Sequence, residues 1–128
     1  MRVLLDTHAL IWWLAGDDRI TLSARRWLAR PGREVLVSAA SGWEIATKRR
    51  LGKLPDPHGV LDDLRGHVAR QGFHALPITM DHAMRAGAFD VPHRDPFDRM
   101  LAAQAQAEGV AIVSRDDVFE SFGVKRVW

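Results

Sequence analysis

The sequence predicts an α/β domain: a doubly wound parallel sheet of four to five strands with helices on both faces. Short apolar runs such as Val3-Leu4-Leu5, Val35-Leu36-Val37 and Val110-Ala111-Ile112-Val113 are unbroken by polar residues, as strands buried on both faces require. Segments of helical length separate these runs, which is the order of βαβ units. With 128 residues, 47% apolar and 27% charged, the whole chain (1–128) is expected to form one domain with its own core.

The elements follow in order. Arg2 to Leu5 is a buried strand ending on Asp6. Thr7 to Leu14 is a helix, closed by Gly16-Asp17-Asp18, and Leu22 to Ala29 is a second, stopped at Arg30-Pro31-Gly32. Glu34 to Ser38 is the next strand. Ser41 to Arg50 is a helix with Gly52 just past its end, where glycine commonly terminates a helix. Pro55 and Pro57 break the chain before a helix over Val60 to Arg70. Phe73 to Pro77 is a third strand, and Thr79 caps a helix over Met80 to Ala88. Asp95-Pro96 opens a long helix to Glu108, with Gly109 behind it. Val110 to Val113 is a fourth strand. Ser114 to Asp117 leads into a short helix, and Val124 to Val127 is the candidate fifth strand.

Composition removes several classes. No apolar run is long enough to span a bilayer. Met1 to Asp6 carries charge and no small-residue cleavage pattern follows, so no secretory signal is expected and the cytoplasm is the expected location. Cysteine is absent, which excludes disulfides and thiolate metal sites. His8, His58, His67, His74, His82 and His93 show no metal-binding spacing, so no zinc site is read. The basic residues are 15 Arg and only 3 Lys. Arg forks match phosphate geometry better than Lys does.

Three acids, Asp6, Glu44 and Asp116, lie just after expected strands or in a following helix, and Asp98 opens the helix leading into the fourth. In such sheets ligands bind outside the carboxyl ends of the strands. Each acid also has a plainer reading. Asp6 suits a helix N-cap, and Ser41 to Glu44 has capping-box spacing. Asp98 suits the first turn of a helix capped by Asp95, and Asp116 and Asp117 suit a strand-to-helix turn. The conjunction is less easily dismissed. Four carboxylates meeting at one edge repel one another unless a cation neutralises them. Mg²⁺ and Mn²⁺ prefer such oxygens, and carboxylate-held ions are a common apparatus for phosphodiester hydrolysis.

The chain resembles the PIN-domain ribonucleases, specifically the VapC-type toxins of VapBC toxin–antitoxin pairs. The resemblance runs through Leu4-Leu5-Asp6-Thr7-His8, Ser38 to Lys48 and Leu51 to Leu54. Its most specific stretch is His93-Arg94-Asp95-Pro96-Phe97-Asp98-Arg99 to Ala105, and it closes on Val113-Ser114-Arg115-Asp116 and Phe119. It implies a Mg²⁺- or Mn²⁺-dependent endoribonuclease with Asp6, Glu44, Asp98 and Asp116 as its catalytic and metal site. Asp6 and Asp98 are the more direct ligands, while Asp95 and Asp117 fall outside the set. Ser114 stands where the family often has Thr, a hydroxyl able to orient a carboxylate. The implied partners are RNA, a cognate antitoxin and a second toxin copy forming a homodimer within the complex, with no membrane partner.

Other residues carry two readings each. Lys48, Arg49, Arg50 and Lys53 suit either a helix C-terminus or RNA phosphate contacts. Arg94, Arg99 and Arg115 are placed to contact the scissile strand or offset the acids, and for Arg99 the offset is expected. His93 is expected to cap or pack. Adjacent Trp12 and Trp13 point to different sides of one helix, so one is expected in the core and the other exposed or at an interface. The alternative to the nuclease is a catalytically inactive PIN-like module that binds RNA or a partner. Aspartyl-phosphate chemistry fits poorly, because Thr7 and His8 stand where a second acid is wanted. A DNA nuclease stays open, since the acids do not distinguish sugars.

Overall fold

A computed structural model describes residues 1–56 and 59–128; Pro57, expected to break the chain, and His58 lie outside the described residues. These residues form a five-stranded parallel sheet in the order β3-β2-β1-β4-β5. The strands are β1 (Arg2–Leu5), β2 (Glu34–Ser38), β3 (His74–Leu76), β4 (Ala111–Val113) and β5 (Arg126–Val127). The helices are α1 (Thr7–Ala15), α2 (Leu22–Leu28), α3 (Ala39–Arg50), α4 (Leu64–Arg70), α5 (Met80–Ala88), α6 (Pro96–Glu108) and α7 (Val118–Ser121). The expected helix over Val60 to Arg70 divides: Val60–Asp63 is a 3₁₀ turn, and α4 follows it.

Alternation along the central strand sorts the core into two layers. Val3 and Leu5 point into one cluster with Leu10, Trp12, Ala24, Leu28, Val35 and Val37. Leu4 points into the other, with Leu36, Leu101, Ala102, Ala105, Ile112 and Phe119. The unbroken apolar runs are therefore the mark of a sheet covered on both faces. Leu101, Ala102 and Ala105 form the packing face of α6 as expected, and the two alanines let this helix approach the sheet closely.

Two local expectations change. α3 begins at Ala39, two residues before its expected start. Its cap is Ser38, whose Oγ accepts from Ala40 N at 2.9 Å and donates to the buried amide of Gln104. The capping-box reading of Ser41 and Glu44 is thereby overturned. Ser41 is fully buried and its Oγ accepts from Thr7 Oγ1 at 3.0 Å. The second change concerns the tryptophans. Trp12 is in the core, but Trp13 is half-buried against the same cluster and donates its Nε1 to Gln71 Oε1 at 2.9 Å.

The strand order changes direction between β1 and β4. β2 and β3 continue to one side of β1, while β4 and β5 continue to the other. Asp6 and Ser114 are the first residues beyond these two central strands, and Asp6 N donates to Val113 O at 3.1 Å. Both therefore stand at the switch point of the sheet, where such folds bind ligands.

Candidate active site

Asp6 ends β1 and caps α1. Its Oδ1 accepts from Ala9 N at 2.7 Å, and its Oδ2 accepts from Ser114 Oγ. The same Ser114 oxygen accepts from Asp116 N at 3.0 Å. One hydroxyl thus ties the Asp6 carboxylate to the turn carrying Asp116, the orienting role expected of Ser114. Asp6 is only 7% exposed. Burial pushes its carboxyl up to about 6, against the two hydrogen bonds, and the charges of Glu44 and Asp116 push the same way.

Asp98 lies in the first turn of α6. Asp95 is the cap there, its Oδ1 accepting from Phe97 N and Asp98 N at 2.8 and 3.2 Å, which leaves Asp98 free of that duty. Asp98 Oδ2 lies 2.8 Å from His93 Nε2. Burial pushes Asp98 up to about 6 as well; His93 opposes this, while Asp95 and Glu44 add to it. Glu44 is therefore the charge common to the surroundings of Asp6 and Asp98. It is buried on α3, and its carboxylate is paired with Lys48 one turn on.

Asp116 is exposed and its Oδ1 accepts from Val118 N at 3.0 Å, from one residue ahead of the α7 N-cap, Asp117. Asp117 makes no such bond. A cleft of about 590 Å³ opens here, lined by Asp6, His8, Trp12, Arg19, Arg115, Asp116 and Asp117. Asp6 and Asp116 share this cleft, whereas Glu44 and Asp98 are not among its lining residues. Asp117, outside the expected set, lines it. Among the described residues no three His, Asp or Glu are grouped as a metal-holding cluster. The acids are thus linked through their charges, Asp98 to Glu44 and Asp6 to Glu44 and Asp116, rather than closed into a cage.

The structure corrects the expectation for Arg99. Its guanidinium does not offset the acids. It donates to the carbonyls of Ala86, Phe89, Val91 and His93 at 2.7 to 2.9 Å. Arg99 thereby fixes the segment that carries His93 against Asp98. Half of the basic run is committed to protein: Lys48 to Glu44, and Arg49 to Asp62 at 2.7 Å and to Leu61 O at 3.1 Å. The His93 contact was missed by sequence reasoning. Its signal was the Asp95-Pro96 turn, which folds the preceding residues back over the start of α6.

Comparison with known proteins agrees with this fold. The sequence profile of the PIN domain matches residues 3–125. Ribonuclease VapC16 of Mycobacterium tuberculosis is 44% identical over 52 residues, 41% of this chain and 36% of that protein. This chain thus aligns with only about a third of that relative's length. Ribonuclease VapC22 of the same organism is 27% identical over 117 residues, covering 89% of this chain and 86% of that one. Among solved structures, VapBC2 of Rickettsia felis bound to a promoter DNA fragment superposes with a TM-score of 0.71 at 13% identity, over 99% and 98% of the two chains. VapC20 of M. tuberculosis, described as a sarcin–ricin-loop-cleaving toxin, superposes with a TM-score of 0.68 at 20% identity, over 98% of each chain. At these identities the structural likeness concerns the fold.

Proposed function

The chain belongs to the PIN-domain family, and on that premise we propose that it is a divalent-metal-dependent endoribonuclease, the toxin of a type II toxin–antitoxin pair. The observation that carries this reading is Asp6, a buried carboxylate at the switch point of the sheet, pushed up to about 6 with Glu44 and Asp116 as like-charged neighbours. A buried acid among acids is costly, and a cation relieves the cost. The donors Asp6, Glu44, Asp98 and Asp116 are all hard carboxylate oxygens, which fits Mg²⁺ or Mn²⁺. Asp6 and Asp98 would hold the ion, with Glu44 and Asp116 completing the set. When bound, such an ion supplies an activated water and stabilises charge on the phosphate oxygens.

The chain's own residues prepare the site. Ser114 holds the Asp6 carboxylate by one oxygen, and Ala9 N holds the other. His93 orients Asp98, and Arg99 fixes the segment bearing His93. Ionisation of Asp6 and Asp98 near neutral pH sets when both are available as carboxylates. RNA as substrate is supported by the ribonuclease names of the two sequence relatives and by the loop-cleaving VapC20. The VapBC2 neighbour supports a cognate antitoxin as partner, and a second toxin copy in the same complex is part of the proposal. No described helix is long and apolar enough to cross a membrane, and the proposed place of action is the cytoplasm.

The test is cleavage of a labelled structured RNA by wild type and Asp98→Ala, in Mg²⁺, Mn²⁺ and EDTA. Metal-dependent cutting that the variant loses, with 5′-phosphate and 3′-hydroxyl ends, is the expected result. A 2′,3′-cyclic phosphate end overturns the mechanism, because the ribose hydroxyl would then be the nucleophile. No cutting of any RNA by folded, antitoxin-free wild type replaces the enzyme with the binding module.

A further inference from the structure

We propose that the cleft beside Asp6 contains a phosphate-binding subsite for the RNA strand, formed by Arg115 and Arg19 on the platform of Trp12. The inference rests on the ribonuclease reading and says how a polyanion is held at an acidic site. Asp6, Asp116 and Asp117 line the cleft, and carboxylates alone repel a phosphodiester. The same wall carries two cations. The Arg115 guanidinium lies 5.0 Å from the centre of the Trp12 ring, and that of Arg19 lies 4.9 Å from it. These two guanidiniums are the cations that the cleft offers a phosphate beside its three acids.

The two arginines differ. Arg19 is engaged by Asp17, which accepts from its Nε and from its Nη2 at 2.7 Å. Arg115 is exposed and makes no ion pair among the described residues; its guanidinium lies over the indole. Trp12 is itself fixed, 7% exposed and braced by Trp128 at 5.9 Å and His8 at 5.7 Å between ring centres. A guanidinium resting on a rigid ring keeps its planar fork aimed and loses less freedom on binding phosphate. Because the ring is covered by these side chains, it acts as their support rather than as a base-stacking surface. The ligand is therefore the sugar–phosphate backbone, bound without regard to sequence, and the subsite sets the register of the strand against Asp6.

The test separates binding from cutting. A short fluorescent single-stranded RNA is titrated with wild type, Arg115→Ala, Arg115→Gln and Arg19→Ala in EDTA across a salt series, read by anisotropy. Arg30→Ala is the control. Arg30 lies between α2 and the start of β2, toward the amino ends of the strands, over Trp27. Loss of the Arg115 contact is expected to flatten the slope of log K against log salt by about 0.7 for either substitution. Arg19→Ala flattens it less, because Asp17 already holds that charge, and the control leaves it unchanged. With Mg²⁺ restored, Arg115→Gln is expected to raise KM more than it lowers kcat. An unchanged slope and affinity in both Arg115 variants, while wild type binds, overturns the subsite and leaves the nuclease standing. A flattened slope in a protein that cuts no RNA keeps the subsite and removes the nuclease. No RNA binding by wild type at low salt overturns both.

Discussion

Replacing Asp6 by Asn removes one negative charge from the switch point of the sheet while keeping the side chain's shape and its acceptor for Ala9 N. In the wild type the carboxyl moves from its ordinary 3.8 to about 6 on folding. Between those values the folded chain holds a proton that the unfolded chain has released. Stability therefore falls as pH rises through this window, and the loss is complete above it. The difference of about two pH units amounts to on the order of 3 kcal/mol at about 1.36 kcal/mol per unit. Asparagine stays neutral throughout and avoids the cost. The variant should match wild type near pH 4 and exceed it near pH 8 by on the order of 10 °C in Tm. Thermal melts of both proteins in metal-free buffer across that range make the measurement. A Tm difference that stays flat with pH would refute the burial argument. A variant less stable at every pH would show that the lost bond from Ser114 outweighs the relief of charge. Mg²⁺ adds a second arm: it should raise Tm by mass action in wild type above pH 6 and not in the variant, which also loses cleavage.

Two further substitutions probe how the site is held. Ser114→Ala removes the hydroxyl that Asp6 accepts from, and with it one of the two bonds that pull this acid down. The acid limb of the pH–rate profile should then move to higher pH, with Ser114→Thr restoring it; an unmoved limb in the alanine variant would show that Ser114 does not govern the ionisation of Asp6. Arg99→Ala leaves four backbone carbonyls of the segment from Ala86 to His93 without their donor, for an expected loss of about 2–4 kcal/mol. Urea unfolding measures it. Arg99→Lys should fail to restore stability, since one ammonium cannot serve carbonyls spread around a planar fork.

The strands were legible because burial on both faces leaves a mark in sequence. Val3, Leu4 and Leu5 are each fully buried, and they are divided between the two core layers. The end of β1, and hence the place of Asp6, followed from the same run. The start of α3 was not legible. Ser38-Ala39-Ala40-Ser41 offers two serines as caps, and local spacing does not choose between them. The choice lies in Gln104, 66 residues away in sequence, which accepts from Ser38 Oγ at the end of β2. Arg99 was misread for a similar reason. Beside an acid cluster its charge suggested an ion pair, but the carbonyls it binds belong to a segment that only the packing of α5 on α6 brings within reach. Lys48, expected at a helix C-terminus or on RNA phosphate, has a partner that local spacing offered and that went unread. Glu44 and Lys48 have the spacing and order of a favourable helix pair, and the structure makes that pair.

All four acids also perform the plainer duties their positions allow. Asp6 caps α1, Asp116 accepts from Val118 N in the turn before α7, Glu44 pairs with Lys48, and Asp98 sits in the first turn of α6. These duties do not compete with a catalytic reading, and Asp6 shows why. A cap needs only an acceptor, and Ser, Thr or Asn provides one without a charge. An aspartate that served purely as a cap would be held below its ordinary range by the backbone N–H and the helix dipole. Asp6 has that backbone bond and a serine hydroxyl as well, yet its carboxyl stands near 6 because it is buried with Glu44 and Asp116 nearby. At neutral pH the charge therefore lowers the stability of the fold. Capping accounts for the acceptor at this position; a bound cation would account for the charge, and the Mg²⁺ arm of the Asp6→Asn melts tests that.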